Sequence, residues 1–270
     1  MTNAGIETAA LDARLLLAHT LGLTQTGLLT RDPDPISPAV LARFQDLVAR
    51  RTTGVPLAYL TGTREFMGLT FGTTPDVLVP RPDTEPLVEW GLRWLGEHPH
   101  ANVADVGTGS GAIAISITHH APMNWSGHTI ATDISPAALA IAQSNADALL
   151  ADERRGRITF VQGSLAGPIE QPVDLLLTNL PYLTPDQIAG NADLVHEPGI
   201  ALDGGADGLD LIRNVVDDLH RVLAPGGAVG FEIDPTQSAE VQRLLRQTLP
   251  RHHVEIVFDL AGDERHIVAS

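Results

Sequence analysis

The sequence predicts an α/β protein: a doubly wound, mostly parallel seven-stranded sheet with a C-terminal antiparallel hairpin, preceded by a small helical domain and a β-hairpin linker. Three observations predict it. After residue 100, short apolar runs alternate with stretches of helical periodicity, the order that a parallel sheet wrapped by helices requires. Before residue 55 the apolar residues recur only at helical spacing. The chain then closes on Val254–Phe258, Gly262 and His266–Val268, two extended runs joined by a short turn, which sets an antiparallel strand at the sheet edge.

Each element has its own signal. Leu11, Leu15, Leu16 and Leu17 mark a first helix, with Gly22 as its stop. Ser37 reads as an N-cap with Pro38 in the first helical position, and Leu41, Phe44, Leu47 and Val48 form the apolar stripe of that helix. Gly54-Val55-Pro56 breaks the pattern. The runs Glu65–Phe71 and Val77–Pro80 flank a Pro75-Asp76 turn and predict the hairpin, and Asp83 is placed to cap the helix carrying Leu87, Val88, Trp90 and Leu92. Strands are expected at about 101–106, 128–132, 157–161, 173–178 and 227–233, with helices at about 111–120, 135–149, 207–223 and 236–248. The expected domains are helical over 1–62, the hairpin linker over 63–82 and the sheet domain over 83–270.

Composition excludes whole classes of function. No stretch reaches about 18 apolar residues, so no membrane span is expected. Met1–Ala10 has no basic residue and opens no signal peptide, so the expected location is cytoplasmic. The chain has no Cys, hence no disulfide and no thiolate chemistry. All 17 basic residues are Arg; without Lys there is neither a phosphate-binding P-loop nor a Schiff-base lysine. The net charge of −16 opposes a grip on a polyphosphate backbone, so no direct nucleic-acid binding is expected. It suits a solvated acidic surface or a basic protein partner. A monomer is expected.

The strongest local signal is Val103-Ala104-Asp105-Val106 running into Gly107-Thr108-Gly109-Ser110-Gly111 and then a helical Ala112-Ile113-Ala114. Glycines let the backbone approach a ligand, and the helix start offers free N–H groups. The spacing G-x-G-x-G behind an Asp differs from the dinucleotide fingerprint G-x-G-x-x-G, which disfavours a nicotinamide-dependent oxidoreductase. It also fails the G-x-S-x-G nucleophile elbow, because Thr108 stands two residues before Ser110. Asp133 ends the next strand, where an acid can accept both hydroxyls of a ribose while also starting the helix after Ser135-Pro136. Asn179-Leu180-Pro181-Tyr182 follows the run Val173–Leu177, at a strand end of the kind where ligands bind. His119-His120 and His252-His253 are adjacent pairs that cannot easily face one ion, and no metal is expected.

This pattern resembles the class I S-adenosylmethionine-dependent methyltransferases over about residues 85–270. The resemblance implies that Gly107, Thr108, Gly109, Ser110, Gly111 and Asp133 bind S-adenosylmethionine, with Asn179 also touching it. Ser164 and Leu165 follow the third strand, where many members carry an acid and a bulky residue near the adenine. Methyltransferases of a planar amide or amino nitrogen carry Asn/Asp-Pro-Pro-Tyr/Phe after the fourth strand, and Asn179-Leu180-Pro181-Tyr182 is similar to it, with Leu180 for the first Pro. An amide nitrogen is a poor nucleophile because its lone pair is delocalised into the carbonyl. Accepting its two N–H groups with the Asn179 side-chain oxygen and the Leu180 carbonyl orients it and favours the positive charge that develops on nitrogen. Pro181 stiffens the turn, Tyr182 stacks on the planar group, and catalysis is then mostly positioning.

Two further stretches, Tyr59–Glu89 and Glu197–Arg213, closely resemble segments of the release-factor glutamine methyltransferases. That family implies methylation of the Gln in the Gly-Gly-Gln motif of class-one peptide chain release factors, with the N-terminal helices helping to dock the protein substrate. An rRNA adenine dimethyltransferase shares Asn-Leu-Pro-Tyr, but the acidic charge, the absence of Lys and the match at residues 59–89 oppose it. A degenerate methyltransferase-fold binding module is opposed by intact Gly107, Gly109, Gly111, Asp133, Asn179 and Tyr182.

Overall fold

The computed structural model describes the chain except residues 2–4, 31–34 and 260. The chain divides into two compact units, Met1–Thr63 with Asn191–His196, and Arg64–Gly190 with Glu197–Ser270. The first is helical: α1 (Ala9–Leu21), α2 (Gln25–Thr30), α3 (Pro38–Thr52) and α4 (Leu57–Thr61). Gly22 closes α1 in the left-handed conformation (φ 66°), and Ser37 Oγ accepts from the Val40 N–H at 3.4 Å to cap α3. Leu16, Leu47 and Leu60 form its small core. The buried carboxylate of Asp12 accepts from Arg51 Nε at 2.7 Å and ties α1 to α3.

Strands β1 (Thr63–Phe66) and β2 (Leu69–Gly72) form the hairpin, which turns at Met67-Gly68 and not at Pro75-Asp76. Met67 and Gly68 both have positive φ (51° and 71°), the backbone twist that a two-residue hairpin turn needs. Val77–Pro80 forms no strand, though Val77 and Val79 are buried; prolines at 75, 80 and 82 leave this stretch short of ladder donors. Asp83 does not cap the next helix. A 3-10 turn, Pro82–Thr84, runs straight into α5 (Glu85–Glu97), and Glu85 reaches back to accept the Met67 N–H at 2.7 Å.

Beyond α5 come β3 (Val103–Val106), α6 (Ala112–His120), β4 (Thr129–Asp133), α7 (Pro136–Leu149), α8 (Asp152–Arg155), β5 (Ile158–Gln162) and β6 (Val173–Thr178). They are followed by α9 (Pro185–Ala189), α10 (Asp210–Val222), β7 (Leu223–Glu232), α11 (Ser238–Thr248), β8 (Val254–Phe258) and β9 (Glu264–Ala269). The seven strands lie in the order β5-β4-β3-β6-β7-β9-β8, with β9 antiparallel to both its neighbours. The antiparallel strand thus sits one place in from the edge and not at it. Burial explains the order: His266–Ala269 is buried throughout, as an interior strand must be, whereas β8 is half exposed and suits an edge.

Helices cover both faces. Leu87, Ile115, Leu175 and Leu177 belong to one core, and Leu176, Val216, Phe231 and Leu245 to the other. Successive leucines of β6 therefore point into opposite cores, which explains the unbroken apolar run. Phe66 and Phe71 of the hairpin are fully buried in the first core. The chain winds outward from β3 to β4 and β5, then crosses back to β6 on the other side of β3. A crevice opens where the order reverses, at the carboxyl ends of β3 and β6.

Candidate active site

Three strand ends meet at this crevice. Val106 of β3 stands opposite Thr132 of β4 and Thr178 of β6. Gly107, Asp133 and Asn179, each the next residue along, therefore leave the sheet side by side. The Gly107 and Thr108 N–H groups both donate to the Thr132 carbonyl at 2.9 Å, folding the loop over the strand ends. Gly107 takes a left-handed backbone (φ 75°), which strains any side chain, and a Cβ there would stand 3.0 Å from Leu180 Cδ2, tight against it. At Gly111 (φ 83°), which opens α6, a Cβ would stand 2.6 Å from Ile115 Cδ1.

Two carboxylates support the loop. Asp105 is buried; its Oδ2 accepts from the Thr108 hydroxyl at 2.6 Å and the Ala114 N–H at 3.0 Å. Among the described residues its Oδ1 has no partner. Burial pushes the Asp105 carboxyl up to about 7, against the pull of those two hydrogen bonds. Asp133 accepts from the Gly109 N–H at 2.8 Å with Oδ2 and from the Ser135 N–H at 2.9 Å with Oδ1. Ser135 caps α7 through the Ala138 N–H at 3.2 Å. Asp133 thus joins the Gly loop to the start of α7, and of the roughly four acceptor positions on a carboxylate two remain open. Leu165 adopts a left-handed backbone (φ 49°), and its carbonyl accepts from the Thr132 hydroxyl at 2.9 Å.

At the end of β6, Asn179 donates from Nδ2 to Thr84 Oγ at 3.1 Å, and among the described residues no donor reaches its Oδ1. Its amide is thereby turned so that an acceptor is left over. Leu180 is more than a carbonyl carrier: its side chain is buried in the second core and backs onto Gly107. Tyr182 packs against that same core and donates its hydroxyl to Glu232 Oε1 at 3.3 Å. Burial, then the Glu232 charge, pushes the Tyr182 pKa up.

Ten of the residues singled out by sequence line one crevice: Gly107, Thr108, Gly109, Ser110, Asp133, Ser164, Leu165, Asn179, Leu180 and Pro181. Gly111 and Tyr182 are not among its lining residues. Arg81 and Thr84, from the Pro80–Glu85 turn that the sequence places at the border of the cofactor pocket, also line it, as do Ile134 and Ile200, which the sequence reading did not single out. Ile134 and Ile200 leave 53% and 61% of their surface exposed, open apolar flanks beside polar strand ends. Arg81 pairs with the buried carboxylate of Glu197, which also accepts the Val79 N–H at 3.2 Å. The stretches Tyr59–Glu89 and Glu197–Arg213 thus meet in the crevice wall; an acid beside Pro198 and an Arg between two prolines were the available signals. Neither His pair joins a metal-binding group, and none is found among the described residues.

Residues 1–62 match the family model of the PrmC N-terminal domain, and residues 97–250 match that of a methyltransferase domain. The release factor glutamine methyltransferase of Moorella thermoacetica is 41% identical over 267 residues, 98% of this chain and 92% of its own. That of Bordetella pertussis is 43% identical over 258 residues, 94% of this chain and 92% of its own. Among solved structures, the hMettl16 catalytic domain in complex with MAT2A 3'UTR hairpin 6 superposes with a TM-score of 0.59 at 17% identity, over 83% of this chain and 82% of that one. The human methyltransferase 10 domain containing protein gives 0.54 at 15% identity, over 84% and 99%. At such identity these two speak for the fold alone. With both parts matched in order and the likeness to named relatives sustained over nearly the full length, the chain belongs to the release factor glutamine methyltransferase family.

Proposed function

We propose that this protein transfers a methyl group from S-adenosylmethionine to the side-chain amide nitrogen of the Gln in the Gly-Gly-Gln motif of class-one peptide chain release factors. The observation that carries this reading is the meeting of the Gly107–Gly111 loop and Asp133 with an Asn179 whose Oδ1 is unused. The residues present fit the cofactor. Two open acceptor positions on Asp133 suit two ribose hydroxyls, Ile134 and Leu165 offer apolar surface to a purine, and the Gly loop admits a backbone approach. When bound, S-adenosylmethionine supplies an electrophilic methyl group on a sulfonium.

The chain's own part is orientation. Asn179 Oδ1 and the Leu180 carbonyl accept the two N–H groups of the substrate amide and favour the positive charge that grows on its nitrogen. Thr84 keeps Asn179 the right way round, and the turn is stiffened by Pro181. No strong base is required, because positioning carries most of the rate. The domains act as helical docking part (1–62), hairpin linker (63–82) and methyltransferase domain (83–270), and the net charge of −16 suits a basic protein substrate. No helix among the described residues is long and apolar enough to cross a membrane, and we place the enzyme in the cytoplasm as a monomer.

Mass spectrometry of a release factor co-expressed with this protein tests the reading. One methyl group on the Gln of Gly-Gly-Gln is expected, absent without the enzyme. An unmodified Gln beside folded, cofactor-binding enzyme would overturn the substrate assignment.

A further inference from the structure

Behind the turn that carries Asn179 lies a buried ionisable cluster. Glu232, the last residue of β7, is 1% exposed, and His266, its register partner on β9, is 0% exposed. His266 Nε2 stands 3.7 Å from Glu232 Oε2. Among the described residues, neither His266 ring nitrogen nor Glu232 Oε2 makes a hydrogen bond. The flanking residues Phe231, Ile233 and Ile267 are apolar and fully buried. A carboxylate held so deeply is expensive even with the Arg265 guanidinium acting on it through space, and an apolar pair of similar volume would serve stability better. Among the described residues, its one side-chain hydrogen bond is the one that it accepts from Tyr182.

The same stretch of chain grips Tyr182 a second time. Gln237, also buried, donates from Nε2 to the Tyr182 carbonyl at 2.9 Å, while its Oε1 accepts the Asp234 N–H at 3.1 Å. A loop closes from the other side: a Cβ on Gly204 would stand 2.6 Å from the Pro181 carbonyl oxygen. Tyr182 is thus held at its hydroxyl, at its carbonyl and along its backbone, three residues after Asn179.

We infer that Glu232 is a positioning residue for methyl transfer, acting through the Tyr182 hydroxyl to set the direction in which Asn179 Oδ1 and the Leu180 carbonyl point. The inference rests on the reading of this turn as the seat of the substrate amide. The hydroxyl is the only polar handle on an otherwise apolar ring, and it fixes that ring against the backbone that Gln237 and Gly204 hold. A drift of about 1 Å in such a constellation costs about 10²-fold in rate.

The test is single-turnover methylation of intact release factor at saturating S-adenosylmethionine by wild type, Tyr182→Phe, Glu232→Leu and the double variant, with cofactor affinity measured by calorimetry. Each single change should slow transfer by about tenfold to a hundredfold and leave cofactor affinity unchanged. The double variant should be no slower than the slower single, because both changes remove one and the same bond. A Tyr182→Phe enzyme at the wild-type rate overturns the inference, and so does a double variant whose loss is the product of the two. If Glu232→Leu does not fold, Tyr182→Phe decides alone, since it removes a single oxygen. Asn179→Ala separates the two levels. If it is slow while Tyr182→Phe is fast, only this inference falls; if it is fast, the reading of the turn falls with it.

Discussion

Replacing Asp133 by Ala probes the cofactor side of the crevice. Its carboxylate already accepts from the Gly109 N–H at 2.8 Å and the Ser135 N–H at 2.9 Å. About two of its four acceptor positions are then left for the hydroxyls of a ribose. Hydrogen bonds to a charged group contribute about 1.5–3 kcal/mol each. Asp133 is only half-buried, so the lower figure applies, about 3 kcal/mol for two bonds and therefore roughly a hundredfold in Kd. The same change frees the Gly109 N–H and loosens the loop, so the loss should be no smaller than that. Asp133→Asn retains one acceptor oxygen and must give up either the loop or the ribose, which puts its loss between the two. Calorimetric titration with S-adenosylmethionine and with S-adenosylhomocysteine should show equal losses, because the ribose is common to both. A folded Asp133→Ala protein that binds either ligand with wild-type affinity would refute the assignment, and a loss confined to S-adenosylmethionine would move Asp133 away from the ribose.

Three further outcomes are expected. Asn179→Ala should lose at least about 10²–10³ in methyl-transfer rate with cofactor affinity nearly intact, and Thr84→Val, which keeps the shape but not the acceptor for Asn179 Nδ2, should fall between it and wild type. If Thr84→Val reacts at the full rate in single turnover, Thr84 does not set the Asn179 amide. Leu180→Ala reads as mild if only the backbone carbonyl is used, but the buried side chain behind Gly107 changes that. Urea unfolding should show a loss of about 2–5 kcal/mol, and an unchanged midpoint would mean that the site collapses without penalty. The third concerns Asp105, whose folded pKa is raised from 3.8 to about 7. The stability contributed by its protonated form is present below about pH 4 and lost as pH rises to about 7. Asp105→Asn should therefore gain in urea midpoint over wild type at about pH 8 and lose that advantage towards about pH 4. Parallel pH profiles for the two proteins would rule the effect out.

What sequence could reveal follows from how far each interaction reaches. Gly107–Gly111, Asp133 and Ser135 were legible because each stands where a strand runs through a short loop into a helix, although the Gly109 to Asp133 bond joins two such units. Ser37 and Gly22 announced helix ends for the same reason. Glu197, Glu232 and His266 stayed hidden, since their partners are settled by register and crossover: Glu232 faces His266 only because β9 pairs antiparallel with β7. Leu180 was read for its backbone alone, because the side chain's place beside Gly107 depends on β3 and β6 being neighbours. The hairpin turn was misplaced on a physical ground. Pro75-Asp76 is a common turn signal, whereas the real turn asks Met67 to take a left-handed backbone at φ 51°, which nothing in a methionine advertises.

The helical unit is not one contiguous stretch: Asn191–His196, from between β6 and α10, belongs with Met1–Thr63, and His196 Nε2 bonds the Thr53 carbonyl at 2.9 Å. The polypeptide therefore passes between the two units three times, at 63–64, 190–191 and 196–197. In hereditary terms, the unit cannot be traded as a cassette. A single recombination event near residue 63 would graft a foreign set of helices onto a resident patch selected to fit another. The N-terminal helices and those six residues must instead change together, so lineages that diverge here should do so by paired point substitutions rather than by swapping the module whole.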